Sequence, residues 1–253
     1  MTAPRLRPGL AAAVVVIASL TLTGCAEALP VAPPTRTTPA PHTVTGMTSV
    51  PEIKAGSAAT VTLKGFSAYE RASLRIRNIS CQGVAVGSGF AVAPRVIVTN
   101  RHVVEGATAL QIQTYDGRDR KVDTAGAATF ADLAIVRLAD DLPATLPLAA
   151  ANPKPGDAIT VVGYPGGGQL TTSRGKVLRY GADIVGQSDE PMIINDAPIQ
   201  HGSSGSPLVD SAGQVVGVAY AGKPEGPYWA VPVRLLRQII DKPSEVGPIP
   251  PCE

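Results

Sequence analysis

The chain of 253 residues has room for one sizeable domain or two small ones. Its 26 Gly and 24 Pro, few aromatics and many Val, Ile and Thr describe short strands joined by turns rather than long helices. The formal charge of +2 falls to zero once Arg5 and Arg7 are removed with the leader described next, so no electrostatic argument favours a nucleic-acid partner.

Residues 1–24 are laid out as a secretory signal: bases at Arg5 and Arg7, an apolar run from Leu10 to Leu22, then small residues. The run is short for a membrane-spanning helix. Its end, Leu22-Thr23-Gly24-Cys25, resembles the bacterial lipobox, in which the cysteine is lipidated and becomes the first mature residue. An ordinary signal peptide with a chance cysteine is the alternative. Residues 25–66 turn to Pro, Ala and Thr with almost no periodic apolar pattern, and a segment that buries so little is expected to be a disordered tether. His42 lies in it and is assigned no chemistry.

The folded domain is expected over residues 67–253. Tyr69 to Ile79 begins with helix-permissive residues and runs into a strand at Leu74–Arg77. The next strand, Val84–Ala93, contains Gly87, Ser88 and Gly89, where glycine signals a bulge or a close backbone approach. Val96–Val98 then leads into Thr99-Asn100-Arg101-His102-Val103-Val104, which places His102 on a single helical turn. Strands at 108–114, 120–125 and 132–138 complete a small antiparallel barrel over about 70–142. After a linker at Pro143–Pro155, strands at 158–163, 171–179, 191–195, 207–210, 214–221 and 228–232 form a second barrel over about 156–232. Val233, Leu236, Ile239 and Ile240 fall at helical spacing and predict a closing helix; Pro243–Pro251 is extended and leads to Cys252. The glycine-rich run Gly163–Gly168 is no phosphate loop, because neither Lys-Ser/Thr nor a helical pattern follows it.

Chemistry concentrates at Gln200-His201-Gly202-Ser203-Ser204-Gly205-Ser206-Pro207. Glycines on either side suit a nucleophilic serine, since the backbone can turn tightly and aim the N–H groups of Gly202 and Ser204 at one developing oxyanion. A serine is a weak nucleophile until a base takes its proton. Of the three histidines, His42 is in the tether and His201 lies beside the turn, which leaves His102 as the base. Asp132 precedes four apolar residues and is the acceptor expected to orient His102, with a strand-capping role as the alternative.

The strings GSGF at 87–90, TNRHVV at 99–104, DLAIVRL at 132–138, GYPGG at 163–167, NDAPIQHGSSGSPLVD at 195–210 and GQVVGVAYAG at 213–222 together resemble a trypsin-like serine protease of the bacterial HtrA/Deg branch. The resemblance covers roughly residues 70–240. It departs from the family pattern at Ser203, where Asn or Asp is usual, at Ser206, where Gly is usual, and in that no PDZ module follows the protease region. It implies an all-β, chymotrypsin-like fold of two six-stranded antiparallel barrels with a short C-terminal helix and the triad His102, Asp132 and Ser204 between them. It also implies a primary pocket lined by Pro198, Ile199, Val218, Ala219, Tyr220 and Ala221, with no acid to attract Lys or Arg, so that cleavage follows a small or medium apolar residue. Without an acid at position 203, activation by pairing with a freed N-terminus is not expected. No cofactor or metal is implied; the partners are a peptide or protein substrate and, through the lipid on Cys25, a membrane, which places the protein on the extracytoplasmic face. Oligomeric state stays open.

If Cys25 carries lipid, Cys81 and Cys252 remain as an even pair in an oxidising compartment and are expected to form a disulfide, two free thiols being the alternative. Two other functions stay in view: a protease fold that binds peptides without turnover, and an esterase sharing the same acyl-enzyme chemistry.

Overall fold

A computed structural model describes residues 42–43 and 65–252. The leader, the Cys25 lipidation site and most of the tether lie outside the described residues.

The first half of the domain runs β1 (His42–Thr43), α1 (Ala68–Ala72), β2 (Ser73–Ser80), β3 (Gly83–Ala93), β4 (Val96–Thr99), α2 (Arg101–Val104), β5 (Ala107–Thr114), β6 (Asp119–Arg120), β7 (Val122–Ala128) and β8 (Ala134–Leu138). Ser67 and Glu70 form a capping box at α1: Glu70 N–H donates to Ser67 Oγ, and Ser67 N–H to Glu70 Oε2 at 2.7 Å. Six of these strands make an antiparallel sheet in the order β5-β2-β3-β4-β8-β7. The sheet curls without a β5–β7 ladder, so the first of the two six-stranded units is a curled half-barrel, open between β5 and β7. Its two edges are covered from the ends of the chain instead. His42–Thr43, inside the expected tether, pairs with Leu110 and Ala109 of β5. A further strand from the C-terminal tail, Val246–Pro248, pairs with β7 through Val246 and Ala128. Each addition satisfies a row of backbone groups that an open edge leaves unpaired.

The second half continues with β9 (Ala158–Gly163), β10 (Thr171–Gly181), β11 (Met192–Asn195), β12 (Pro207–Val209), β13 (Val215–Gly222), β14 (Tyr228–Pro232), α3 (Val233–Asp241) and β15, the tail strand Val246–Pro248 already described. Strands β9 to β14 close into a barrel in the order β10-β11-β14-β13-β12-β9, as the sequence predicts. Helix α3 buries Val233, Leu235, Leu236 and Ile239 against it.

Two apolar clusters hold these parts together. The smaller fills the closed barrel with Ile159, Val161, Ile193, Leu208, Ala219 and Ala230. The larger fills the half-barrel around Phe90, Ile97, Leu110 and Ile135 and continues onto the outer face of the closed barrel at Val162, Val218, Tyr220 and Trp229. The two halves therefore share one apolar interface.

The tail differs from its sequence reading. Its prolines argue against a strand, yet Pro248 is tolerated because β15 is an edge strand. Val246 and Ile249 pack on the larger cluster, and Gly106 N–H donates to Pro250 O at 3.1 Å. A disulfide joins Cys81, in the β2–β3 turn, to Cys252, with the Cα atoms 6.0 Å apart.

Candidate active site

The chain leaves β4 at Thr99 and makes the single turn α2, whose Val103 and Val104 are buried. Those two anchors leave His102 facing outward, with 42% of its side chain exposed, while Asp132 just ahead of β8 is only 2% exposed. Both oxygens of Asp132 grip the histidine. His102 N–H donates to Oδ1 at 3.0 Å, and the ring Nδ1 lies 2.7 Å from Oδ2. A carboxylate only accepts, so in this pairing Nδ1 carries the proton, and a neutral ring then has its lone pair on Nε2. Asn100 Nδ2 donates to Asp132 O at 2.7 Å and fixes the aspartate's backbone as well.

Ser204 sits in a turn closed by Ser203 N–H to Gln200 O at 2.9 Å and Ser206 N–H to Ser203 O at 3.0 Å. Gly202 and Gly205 both have positive φ, 88° and 87°. Space as well as conformation excludes a side chain there: a Cβ would lie 2.7 Å from Gly166 N at the first and 2.0 Å from Ser88 O at the second. Among the described residues, neither Gly202 N–H nor Ser204 N–H has a hydrogen-bond partner, so both donors are free. Ser204 Oγ donates to Tyr220 O at 3.4 Å, and no hydrogen bond joins it to His102 among the described residues. Such bonds tighten when substrate enters.

The six pocket residues are not brought to one surface. Alternation along β13 sends Ala219 into the closed barrel with Ile199, and Val218 and Tyr220 to the opposite face, toward the half-barrel. Pro198 is exposed and Ala221 half-buried. Tyr220 is locked by a residue that the sequence reading passed over: its hydroxyl donates to Asp183 Oδ1 at 2.7 Å. Burial, the hydrogen bond to Asp183 and that carboxylate's charge push the Tyr220 phenol up. Burial alone would raise the Asp183 carboxyl. The hydrogen bonds it accepts from Tyr220 and from the N–H groups of Val185, Gln187 and Ser188 outweigh that and hold it below the ordinary carboxylate range.

Two other contributors were only partly legible. Asn100 lies within the TNRHVV string, but its grip on Asp132 spans 32 positions. Ser88 was marked only by its flanking glycines, a signal of close approach without a partner. The partner is Ser204, whose carbonyl accepts from Ser88 N–H at 2.7 Å.

Comparison with known proteins identifies the family. Residues 87–218 match the family described as trypsin-like peptidase domain. Serine protease Rv3671c of Mycobacterium tuberculosis is 32% identical over 165 residues, 61% of this chain and 41% of that protein. A protein of Marinomonas sp. named "Probable periplasmic serine endoprotease DegP-like" is 29% identical over 175 residues, 66% of this chain and 37% of its own length. The chain thus spans about two fifths of these relatives. The crystal structure of the Rv3671c protease in its active form superposes with a TM-score of 0.62 at 27% identity, covering 81% of this chain and 94% of that one. With more than half its length matched, the chain belongs to the trypsin-like peptidase domain family.

Proposed function

We propose that the protein is a serine endopeptidase that cleaves peptide bonds through an acyl-enzyme, with His102, Asp132 and Ser204 as its triad. The observation that carries this reading is the buried carboxylate of Asp132, 2.7 Å from His102 Nδ1, which leaves Nε2 as a base on the side of the cleft. In the first step Ser204 Oγ bonds to the scissile carbonyl carbon while Nε2 takes the hydroxyl proton. The negative charge that develops on the carbonyl oxygen is met by the N–H groups of Gly202 and Ser204. The imidazolium, stabilised by Asp132, then gives its proton to the leaving amine as the C–N bond breaks. Water repeats the cycle on the ester, releasing the carboxylic product and restoring Ser204. A substrate in extended form adds along β13 beyond Tyr220. Of the six residues expected to line the pocket only Pro198 and Ala221 keep exposure, and neither carries charge, so the residue before the scissile bond is small or medium and apolar.

The site of action proposed is outside the cytoplasm, with Cys25 lipidated in the membrane. Three features support it: the leader pattern, the Cys81–Cys252 disulfide and the word "periplasmic" in a relative's name. A peptide-amide library and a set of aryl esters, offered to the full chain and to Ser204→Ala, test the activity. Amide cleavage that disappears in the variant, with turnover lower by roughly 10⁶, is expected. Ester cleavage alone would point to an esterase, and peptide binding without any turnover to a binding module.

A further inference from the structure

Ser88 lies in β3, fully buried, and all of its polar groups reach the candidate site. Its N–H donates to Ser204 O at 2.7 Å, and its C=O accepts from Thr99 Oγ1, three positions before His102, at 2.6 Å. Its hydroxyl donates to Gly202 O at 2.8 Å and accepts the N–H of Tyr164 at 2.9 Å. One side chain of the half-barrel thus joins the serine turn, the approach to the histidine and the loop after β9.

That loop grips the neighbouring peptide. Gly166, in the tight turn Pro165–Gly167, donates its N–H to His201 O at 2.7 Å. The C=O and N–H of a trans peptide point in opposite directions. Anchoring His201 O on one side therefore turns Gly202 N–H to the other, where it has no partner among the described residues. Anchoring Gly202 O on Ser88 does the same for the next peptide, whose N–H returns to Gln200 O at 2.9 Å. Arg75 backs the loop, with its guanidinium 4.9 Å over the Tyr164 ring and donating to Gly168 O. Gly202, with φ of 88°, has no side chain to resist rotation of these peptides, and Ser203 offers no carboxylate to tie the loop down.

We propose that Ser88 is a positioning residue which, together with the turn at 165–167, holds the Gly202 N–H in its oxyanion-binding orientation. The proposal rests on the reading of Ser204 as the nucleophile. Its role is to keep a donor aimed at the transition state before substrate arrives. Loss of the Ser88 hydroxyl accordingly affects the chemical step more than ground-state binding.

The test uses the full chain and two variants. Ser88→Ala removes the hydroxyl. Gly167→Ala displaces the turn from the other side, because its Cβ would meet Val86 at 2.8 Å and its φ is 69°. For each, kcat for a peptide amide is expected to fall by roughly 10²-fold while KM stays within about twofold. Inhibition by a peptide aldehyde, whose adduct carries an oxyanion, weakens in parallel, whereas affinity for a product peptide holds. Hydrogen exchange at the Gly166 amide accelerates. Unchanged kcat, or an equal loss of product-peptide affinity, would overturn the proposal. If the unaltered protein cleaves no peptide, the endopeptidase reading fails and exchange decides the cradle alone: faster exchange at Gly166 in Ser88→Ala upholds it, and unchanged exchange refutes it.

Discussion

Replacing Asp132 by Asn keeps the shape of the partner and removes the charge that fixes the His102 tautomer. The amide offers an N–H where Nδ1 needs an acceptor, so Nε2 loses its role as base. The same replacement in the trypsin triad costs about 10⁴ in turnover, and a loss of that order is expected here. Steady-state kinetics on a peptide amide check it, and near-normal activity would mean that another acceptor orients the ring. Asp183 acts through Tyr220. Its carboxyl is held below its ordinary value of 3.8, so its contribution to stability is present above that pH and is lost as the pH falls below it. Asp183→Asn is expected to cost about 1 kcal/mol at neutral pH, the low end for a hydrogen-bonded charge because the carboxylate is partly solvated. The stability difference between the two proteins should vanish at low pH, as thermal melts over roughly pH 2–6 would show; a constant difference would place the effect elsewhere. At this scale the proposed nucleophile and base stand out in the sequence, through Gly-Ser-Ser-Gly and a choice among three histidines. Asp183 could not, since nothing local announces that its oxygens collect three N–H groups and a phenol from 37 positions away.

Strands were legible where period and turn residues agree. The strand from Ala158 to Gly163 was placed to the residue, and α3 followed from its apolar spacing. The tail strand was not legible, because what makes Val246–Pro248 a strand is the vacant edge of β7 rather than any preference of its own. That edge changes what the disulfide is expected to do. A cross-link over 171 positions stabilises by roughly 5 kcal/mol in the chain-entropy picture, as an upper figure. Reduction should therefore lower the melting temperature, but the amide of Gly247, opposite Ala127 of β7, should stay protected from hydrogen exchange. Loss of that protection on reduction would show that the covalent bond alone holds the tail. Catalysis is expected to decline before global unfolding, since Cys252 lies 3.7 Å from where a Cβ on Gly106 would stand, just past the histidine turn.

Across the whole molecule, the closed barrel and the half-barrel each contribute what the other lacks. The half-barrel carries His102 and Asp132 and lends Ser88; the closed barrel carries the serine turn and β13. Pattern alone gives two strand sets of about the right length. What covers the open edges of the first set at β5 and β7 comes from segments far from them in sequence, which periodicity does not encode. The same chain is expected to sit at a membrane: full-length protein should pellet with membranes, and Cys25→Ala should move to the soluble fraction. A variant that still pellets would remove the lipid anchor from the account. The central claim is that Ser204 forms the acyl-enzyme. Mass-spectrometric mapping of a peptidyl fluorophosphonate adduct on the full chain tests it most directly. The adduct is expected on Ser204 and to be absent from both Ser204→Ala and heat-unfolded protein, and an adduct on Ser203 or Ser206, or none on folded protein, would contradict it.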